Sequence, residues 1–398
     1  MGGHLLPMKQ TTRIISTYSS DVFGVCSALF ELGGMIVMHD PSGCNSTYTT
    51  HDEPRWYDMD SQIYISGLTE LDAITGNDEK FVRNIVETAL AQKPAFIVLT
   101  RTPIPLMIGT DFPALAKIIA QKTGIPTWSL PTNSMNSYVY GASLAFNLLA
   151  RNLPAAGNHN SVTRPDKARI NLLGVTPLDF SNNGSDISLQ HWLERNDFFV
   201  QSCWAMGSSL ARLQSSAAAD VSLVLSFSGL AAARTLYERF GIPYVIGVPI
   251  GPLQPVIASA LHTAVNSTHC AIAWGKLSAQ TTGKRVCLIG ESIYMKSLAA
   301  AITQISNCST SVICPLETES GLLSAKDSCA KYETDIAPLL QTADLVFADP
   351  LYAPICPKAA RFISLPHEGF SGRLYRSEIP DLIKDFDSFI EGKFELWD

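Results

Sequence analysis

The chain has 398 residues, 46% hydrophobic and 16% charged, and its 29 Lys plus Arg against 36 Asp plus Glu leave a net charge of −7. A chain this long and apolar can bury a large core, which excludes disorder as the dominant state, and the length suggests two to four domains. The lack of a basic tract argues against nucleic acid as a partner, and no run approaches the roughly 18 apolar residues of a membrane span.

In chain order, residues 21–32 read as a helix, 35–39 as a strand, 79–92 as a helix and 95–100 as a strand. Helices follow at 111–123 and 137–152, and a stretch rich in Pro, Gly, Asn and His at 152–167 reads as a linker. Strands are expected at 170–175, 221–226 and 244–248, with helices at 230–240 and 253–265. A second polar break at 278–284 precedes strands at 286–289, 311–314 and 345–348 and helices at 294–304 and 334–341. The strands are nearly all apolar, as strands covered on both faces are. Strand–helix alternation over the whole length predicts an α/β fold of parallel, doubly wound (Rossmann- or flavodoxin-like) sheets. The breaks divide it into an N-terminal α/β domain (1–155), a middle α/β domain (166–280) and a C-terminal α/β domain (281–398).

The opening Met1-Gly2-Gly3-His4-Leu5-Leu6-Pro7 has too short an apolar run for a signal peptide. Nine cysteines without a close-paired framework read as reduced thiols, so a cytoplasmic location is expected. Phosphate-binding loops, dinucleotide glycine fingerprints, His-Glu-x-x-His, Gly-x-Ser-x-Gly and Cys-x-x-Cys do not occur.

Ligands in open α/β sheets sit outside the carboxyl ends of strands, so the turns there carry the candidates. Cys44 follows Gly43 in such a turn, where backbone amides can stabilise a thiolate; the alternative is a small residue packed in the turn. Arg101 ends a buried strand and could hold a carboxylate or phosphate by paired hydrogen bonds, or form an ion pair with Asp111 or Glu70. His39 and Asp40 read as an acid–base pair or as a stabilised turn. Ser226, Ser228 and Gly229 make a small polar strand end suited to an anion at the next helix N-terminus. His367, in a glycine-rich turn, could reach a metal or substrate. Cys26, inside the first helix, reads as core.

Several of these stretches occur in a familiar order. Gly24-Val25-Cys26-Ser27-Ala28-Leu29, then Met35-Ile36-Val37-Met38-His39-Asp40-Pro41-Ser42-Gly43-Cys44, resembles the cluster-binding region of nitrogenase component 1 proteins. His51-Asp52-Glu53-Pro54, the segment from Gly67-Leu68-Thr69-Glu70 to Gly76, Leu236 to Tyr244 with Gly241-Ile242-Pro243, and His367-Glu368-Gly369-Phe370-Ser371-Gly372 are similar to further segments of that family.

The resemblance implies three doubly wound domains around a central cleft. It implies an oxidoreductase subunit that accepts electrons from an ATP-dependent iron-protein reductase and acts on a metal complex or small anionic substrate in the cleft. Glu70, Arg101, Ser226, Ser228 and His367 would line that site. The family's bridging cluster takes three cysteines per subunit, yet only Cys44 falls clearly on such a position; the others fall near Ser19 or Ser20 and near Thr102. The family's cofactor cysteine falls on Ser226, so dinitrogen reduction is not expected. If Cys26 joins Cys44 as a metal ligand, two subunits could share one [4Fe–4S] cluster across a twofold axis, in a homodimer or with a paralogous component 1-like subunit. The alternative is a redox-inactive protein that binds a metallocofactor or metallophore, as a scaffold or non-catalytic partner subunit.

Overall fold

The computed structural model describes residues 12–15, 19–43, 45, 48, 52–154, 167–275, 283–306 and 308–393. Cys44, His51 and most of both expected linkers lie outside the described residues. Fourteen described strands form three sheets, and every strand pair within them is parallel.

The first lobe holds β1 (Met35–His39), β2 (Gln62–Ile65), β3 (Ile97–Arg101) and β4 (Thr127–Leu130) in the order β2-β1-β3-β4. Its helices are α1 (Asp21–Leu29), α2 (Glu70–Thr75), α3 (Asp78–Gln92), α4 (Pro103–Met107), α5 (Phe112–Thr123) and α6 (Tyr138–Asn152). The second lobe orders β5 (Ala168–Val175), β6 (Phe198–Ala205), β7 (Val221–Val224), β8 (Tyr244–Ile246) and β9 (Ala271–Ile272) as β6-β5-β7-β8-β9. It carries α7 (Pro177–Phe180), α8 (Ser185–Arg195), α9 (Leu210–Gln214), α10 (Phe227–Phe240) and α11 (Leu253–Ser267). The third lobe orders β10 (Arg285–Ile289), β11 (Ser309–Cys314), β12 (Ser328–Cys329), β13 (Leu345–Ala348) and β14 (Arg361–Ser364) as β12-β11-β10-β13-β14. It carries α12 (Ser292–Ile305), α13 (Glu333–Leu340), α14 (Glu368–Tyr375) and α15 (Phe386–Ile390).

The first two orders are flavodoxin-like and the third is Rossmann-like. Each places a topological switch point, the crevice where ligands bind in such sheets, between β1 and β3, β5 and β7, or β10 and β13. The eight expected strands are the eight interior ones. The six missed strands, β2, β4, β6, β9, β12 and β14, are all sheet edges. Most of these edge strands are short and mixed in sequence, as in Gln62–Ile65 and Thr127–Leu130, whereas β6, eight residues long, was missed although it is largely buried.

Helix α6 joins the lobes. It packs against α1 of its own lobe and α10 of the second. Glycines let α1 and α6 meet backbone to backbone. A Cβ on Gly24 would lie 1.9 Å from the Tyr138 carbonyl oxygen, and one on Gly141 would lie 1.8 Å from that of Asp21. Asp21 secures the same junction, its carboxylate accepting from the Asn133 and Ser134 amides at 2.9 and 2.8 Å.

A second tie is a buried ion network. The Arg55 guanidinium bonds Glu53 at 2.7 Å, Glu31 at 2.9 Å and the Ser27 carbonyl at 2.7 Å, and it stacks on Phe30. Glu31 in turn accepts from the Gly207 amide of the second lobe at 2.9 Å.

Because backbone cannot move aside as a side chain can, Gly24→Ala is expected to lose about 2–3 kcal/mol in chemical denaturation, at the upper end of overpacking costs. Gly321→Ala, where an added Cβ meets nothing within 4 Å, should change stability by less than about 0.5 kcal/mol.

Candidate functional site

The carboxyl ends of the second and third sheets, with the N-terminus of α6 from the first lobe, converge on one buried polar cluster. After β5, Thr176 caps the short α7 and brings in Asp179. After β7, Ser226 and Ser228 open α10, their hydroxyls 2.5 Å apart. After β10, Glu291 caps α12. After β14, His367 precedes α14, and Tyr138 begins α6. Asp179, Ser226 and Ser228 therefore stand at the switch point of lobe two and Glu291 at that of lobe three, with His367 reaching in from the edge strand β14 and Tyr138 from α6.

The Tyr138 hydroxyl donates to Asp179 Oδ1 at 2.6 Å, and Thr176 Oγ1 donates to Oδ2 at 3.1 Å. Ser226 stands beside this carboxyl, and its hydroxyl donates to the Gly174 carbonyl at 3.0 Å. Burial, and then the nearby Glu291 charge, push Asp179 up to about 7. Burial likewise raises Glu291, although four donors surround it: the Ile293, Tyr294 and Phe227 amides and the Ser292 hydroxyl. Two adjacent carboxyls in a dry site cannot both ionise cheaply.

His367 Nδ1 accepts from the Gly369 amide at 3.2 Å, which leaves the proton on Nε2. Among the described residues that Nε2 is buried without a hydrogen-bond partner, and it lies 3.8 Å from Asp179 Oδ1, too far for a bond. Burial lowers His367 to about 3, so the imidazole is neutral. Asp349 holds the turn, accepting from the His367 amide at 2.9 Å and the Ser371 hydroxyl at 2.7 Å.

The structure brings together three of the residues singled out from sequence: Ser226, Ser228 and His367. Asp179, Tyr138 and Glu291 were missed as site residues. Glu291 was within reach, since the Gly290-Glu291-Ser292 turn follows an apolar strand. Tyr138 begins a helix and carries no local signal. The anion expected at the α10 N-terminus has an internal counterpart: the Glu291 carboxylate already accepts from the Phe227 amide at 3.1 Å.

Glu70 lies in the first turn of α2, whose capping box is formed by Thr69 and Asp72, and is exposed at the outer edge of lobe one. Arg101 is half-buried at the end of β3, with its backbone N–H and C=O both bonded to the Thr132 hydroxyl and its Nε buried without a partner. Among the described residues it makes no ion pair with Asp111 or Glu70; Asp111 instead caps α5. His39 and Asp40 do not bond each other. His39 Nδ1 pairs with the Ser66 hydroxyl at 2.7 Å, while Asp40 accepts from Asn45 and Thr102. Burial lowers His39 to about 4.

The sequence pattern of the nitrogenase component 1 type oxidoreductases matches residues 20–255. The chain belongs to that family. Among curated relatives, the nitrogenase iron-molybdenum cofactor biosynthesis protein NifE of Rhizobium meliloti (strain 1021) is 26% identical over 192 residues, 46% of this chain and 38% of that protein. A light-independent protochlorophyllide reductase subunit of Leptolyngbya boryana is 27% identical over 187 residues, 45% of this chain and 36% of that one. The matched stretch thus spans well under half of each relative. The solved structures of nitrogenase Cp1 at pH 6.5 and pH 5 share the fold with TM-scores of 0.68 and 0.67 at 15% identity. They cover 98% of this chain and 96% and 91% of theirs.

Nitrogenase component 1-like membership raises the question of a resident iron–sulfur cluster. Cys26 is completely buried in α1, and burial together with the Glu53 charge pushes its thiol up, away from the thiolate a cluster needs. Thr102 is committed to the His39 carbonyl and the Asp40 carboxylate, and Ser20 bridges to Ser137. No three His, Cys, Asp or Glu side chains gather as a metal site among the described residues. The described residues therefore do not fit a resident cluster. Among them no helix is long and apolar enough to cross a membrane.

The central acid and histidine should tilt stability with pH in opposite directions. Asp179 is raised from 3.8 to about 7, so the fold favours its protonated form, and that contribution is lost as pH rises through this window. His367 is lowered from 6.5 to about 3, so its contribution is present above pH 6.5 and lost as pH falls. Thermal melts at neutral pH and near pH 4 check this. Asp179→Asn should enlarge the gain in Tm on going to neutral pH, and His367→Gln should shrink it.

Proposed function

We propose that this component 1-type chain binds a metal-containing cofactor or chelate as cargo between its three lobes, in a holding or biosynthetic role without a resident electron-transfer cluster. The observation that carries this reading is the buried His367 Nε2, without a hydrogen-bond partner among the described residues, where lobes two and three meet beside Asp179, Ser226 and Tyr138. A donor left unpaired in a dry site costs about 1–3 kcal/mol, and a ligand that accepts from it recovers that cost.

The cargo arrives with its own ligands, because the described residues offer no three-residue ion site. It also carries little negative charge where it meets the cluster. Two carboxyls stand there, and Glu291 already occupies the α10 N-terminus, which disfavours the small anionic substrate. The NifE likeness agrees with a biosynthetic role. The likeness to a protochlorophyllide reductase supports a second reading, an electron-accepting oxidoreductase subunit served by an iron-protein reductase, and that reading depends on Cys44. Either role is compatible with a homodimer or a paralogous partner.

Anaerobic purification followed by metal and sulfide analysis separates the two. On the holding reading, metal accompanies the wild-type chain, falls several-fold in His367→Ala, and is unchanged in Cys26→Ser and Cys44→Ser. Iron and sulfide in equal amounts that disappear in Cys44→Ser and persist in His367→Ala would favour the electron-accepting subunit and reject the holding role.

A further inference from the structure

We propose that Cys314 and Cys329 form a reversible disulfide whose closure loosens the hold of the third lobe on the N-terminus of α6. This site lies outside the central cluster, and its formation does not depend on what the chain binds there.

The two cysteines are in-register partners on adjacent parallel strands, Cys314 on β11 and Cys329 on the edge strand β12. Neighbouring strands are about 4.8 Å apart, within the roughly 4.4–6.8 Å Cα separation of disulfides. Both thiols already point to one place. Cys314 Sγ donates to the Leu316 carbonyl at 3.5 Å and Cys329 Sγ to the same oxygen at 3.9 Å. Strand β12 has two residues and pairs on its other side with no described strand, so it can shift toward β11 to the Cβ separation a disulfide needs.

Accessibility orders the steps. Cys329 is exposed and Cys314 fully buried. The oxidant is a low-molecular-weight disulfide. The Cys329 thiolate attacks one of its sulfurs, the reagent S–S bond breaks, and one small thiol leaves. Cys314 then gives up its proton and attacks the Cys329 sulfur of the mixed disulfide, expelling the second small thiol. Two protein S–H bonds become one S–S bond, and the two electrons and two protons leave in the two small thiols. Burial, with the Glu291 charge adding, holds Cys314 as a thiol, so the second step is the slow one.

The consequence runs through the chain that follows β11. The disulfide removes both S–H donors from the Leu316 carbonyl. The next residue, Glu317, accepts from the Ser137 amide at 3.0 Å and from the Ser137 hydroxyl. Ser137 immediately precedes Tyr138, whose hydroxyl holds Asp179. Just past β12, Lys331 donates to the Met135 carbonyl at 3.5 Å. Both attachments of this edge to the start of α6 therefore flank the cysteine pair.

The test is incubation of the full chain with excess oxidised glutathione, alkylation of remaining thiols in denaturant, and peptide mass spectrometry without reduction. The expected result is a linked Cys314–Cys329 peptide, with both thiols lost to alkylation, while exposed Cys270 reports simple adduct formation. Cys329→Ser should abolish the link. Cys314→Ala should stop the reaction at a glutathione adduct on Cys329. Wild-type protein in which Cys329 carries glutathione and Cys314 remains alkylatable would overturn the disulfide. Hydrogen exchange then reads the consequence: the first turn of α6 should exchange several-fold faster after oxidation, revert with dithiothreitol, and stay unchanged in Cys329→Ser. An exchange pattern indifferent to the link would overturn the effect on α6.

Discussion

Two parallel sheets that bring their carboxyl ends together against the start of α6 create an electrostatic problem, and much of the central architecture follows from its solution. The helices that leave those strands present unpaired amides, which water would normally satisfy. Here the centre is closed, so acceptors must come from the chain. Asp21, Glu291 and Asp349 supply them, each accepting from amides at the start of the segment it serves. Asp179 caps nothing beyond its own turn, and Tyr138, Thr176 and Ser226 gather on it. Burial raises both Asp179 and Glu291, and carboxyls this close resist ionising together.

The interior strands could be read from the sequence because burial on both faces makes them continuous apolar runs. The edges could not, since Gln62–Ile65 or Arg361–Ser364 look like ordinary loop until a neighbour pairs with them. The site shows the same division. Ser226 and Ser228 follow a recognisable strand end and His367 stands in a glycine-rich turn, and both are local features. Their meeting with Tyr138, far from all three in the sequence, depends on how the lobes pack, and no local pattern encodes it. Glu70 and Arg101 also sit at strand or helix ends, but of the first lobe, and none of their described hydrogen bonds reaches this cluster. Family likeness pointed to a cleft without indicating which polar groups would fill it.

Arg55 illustrates a different role for buried charge. Its guanidinium is enclosed by Glu53, Glu31 and Ser27, and removing it would strand two carboxylates, a loss of roughly 3–5 kcal/mol for such pairs. Glu31 extends the network to the Gly207 amide, so the tie between lobes one and two is built from directional bonds as well as apolar contact. Geometry of this kind fixes orientation more sharply than a greasy interface of equal area.

The glycine-mediated meeting of α1 and α6 bears on how the molecule breathes. Two helices in backbone contact have no side-chain layer to shear, so the first lobe moves as a solid block with Tyr138 attached. Lobe three is fastened to that block by apolar packing on Tyr138 and Val139 and by polar bonds, among them Ser137 to Glu317 and the Ser19 amide to the Gly369 carbonyl. Any opening between lobes one and three would therefore have to break contacts on either side of Tyr138.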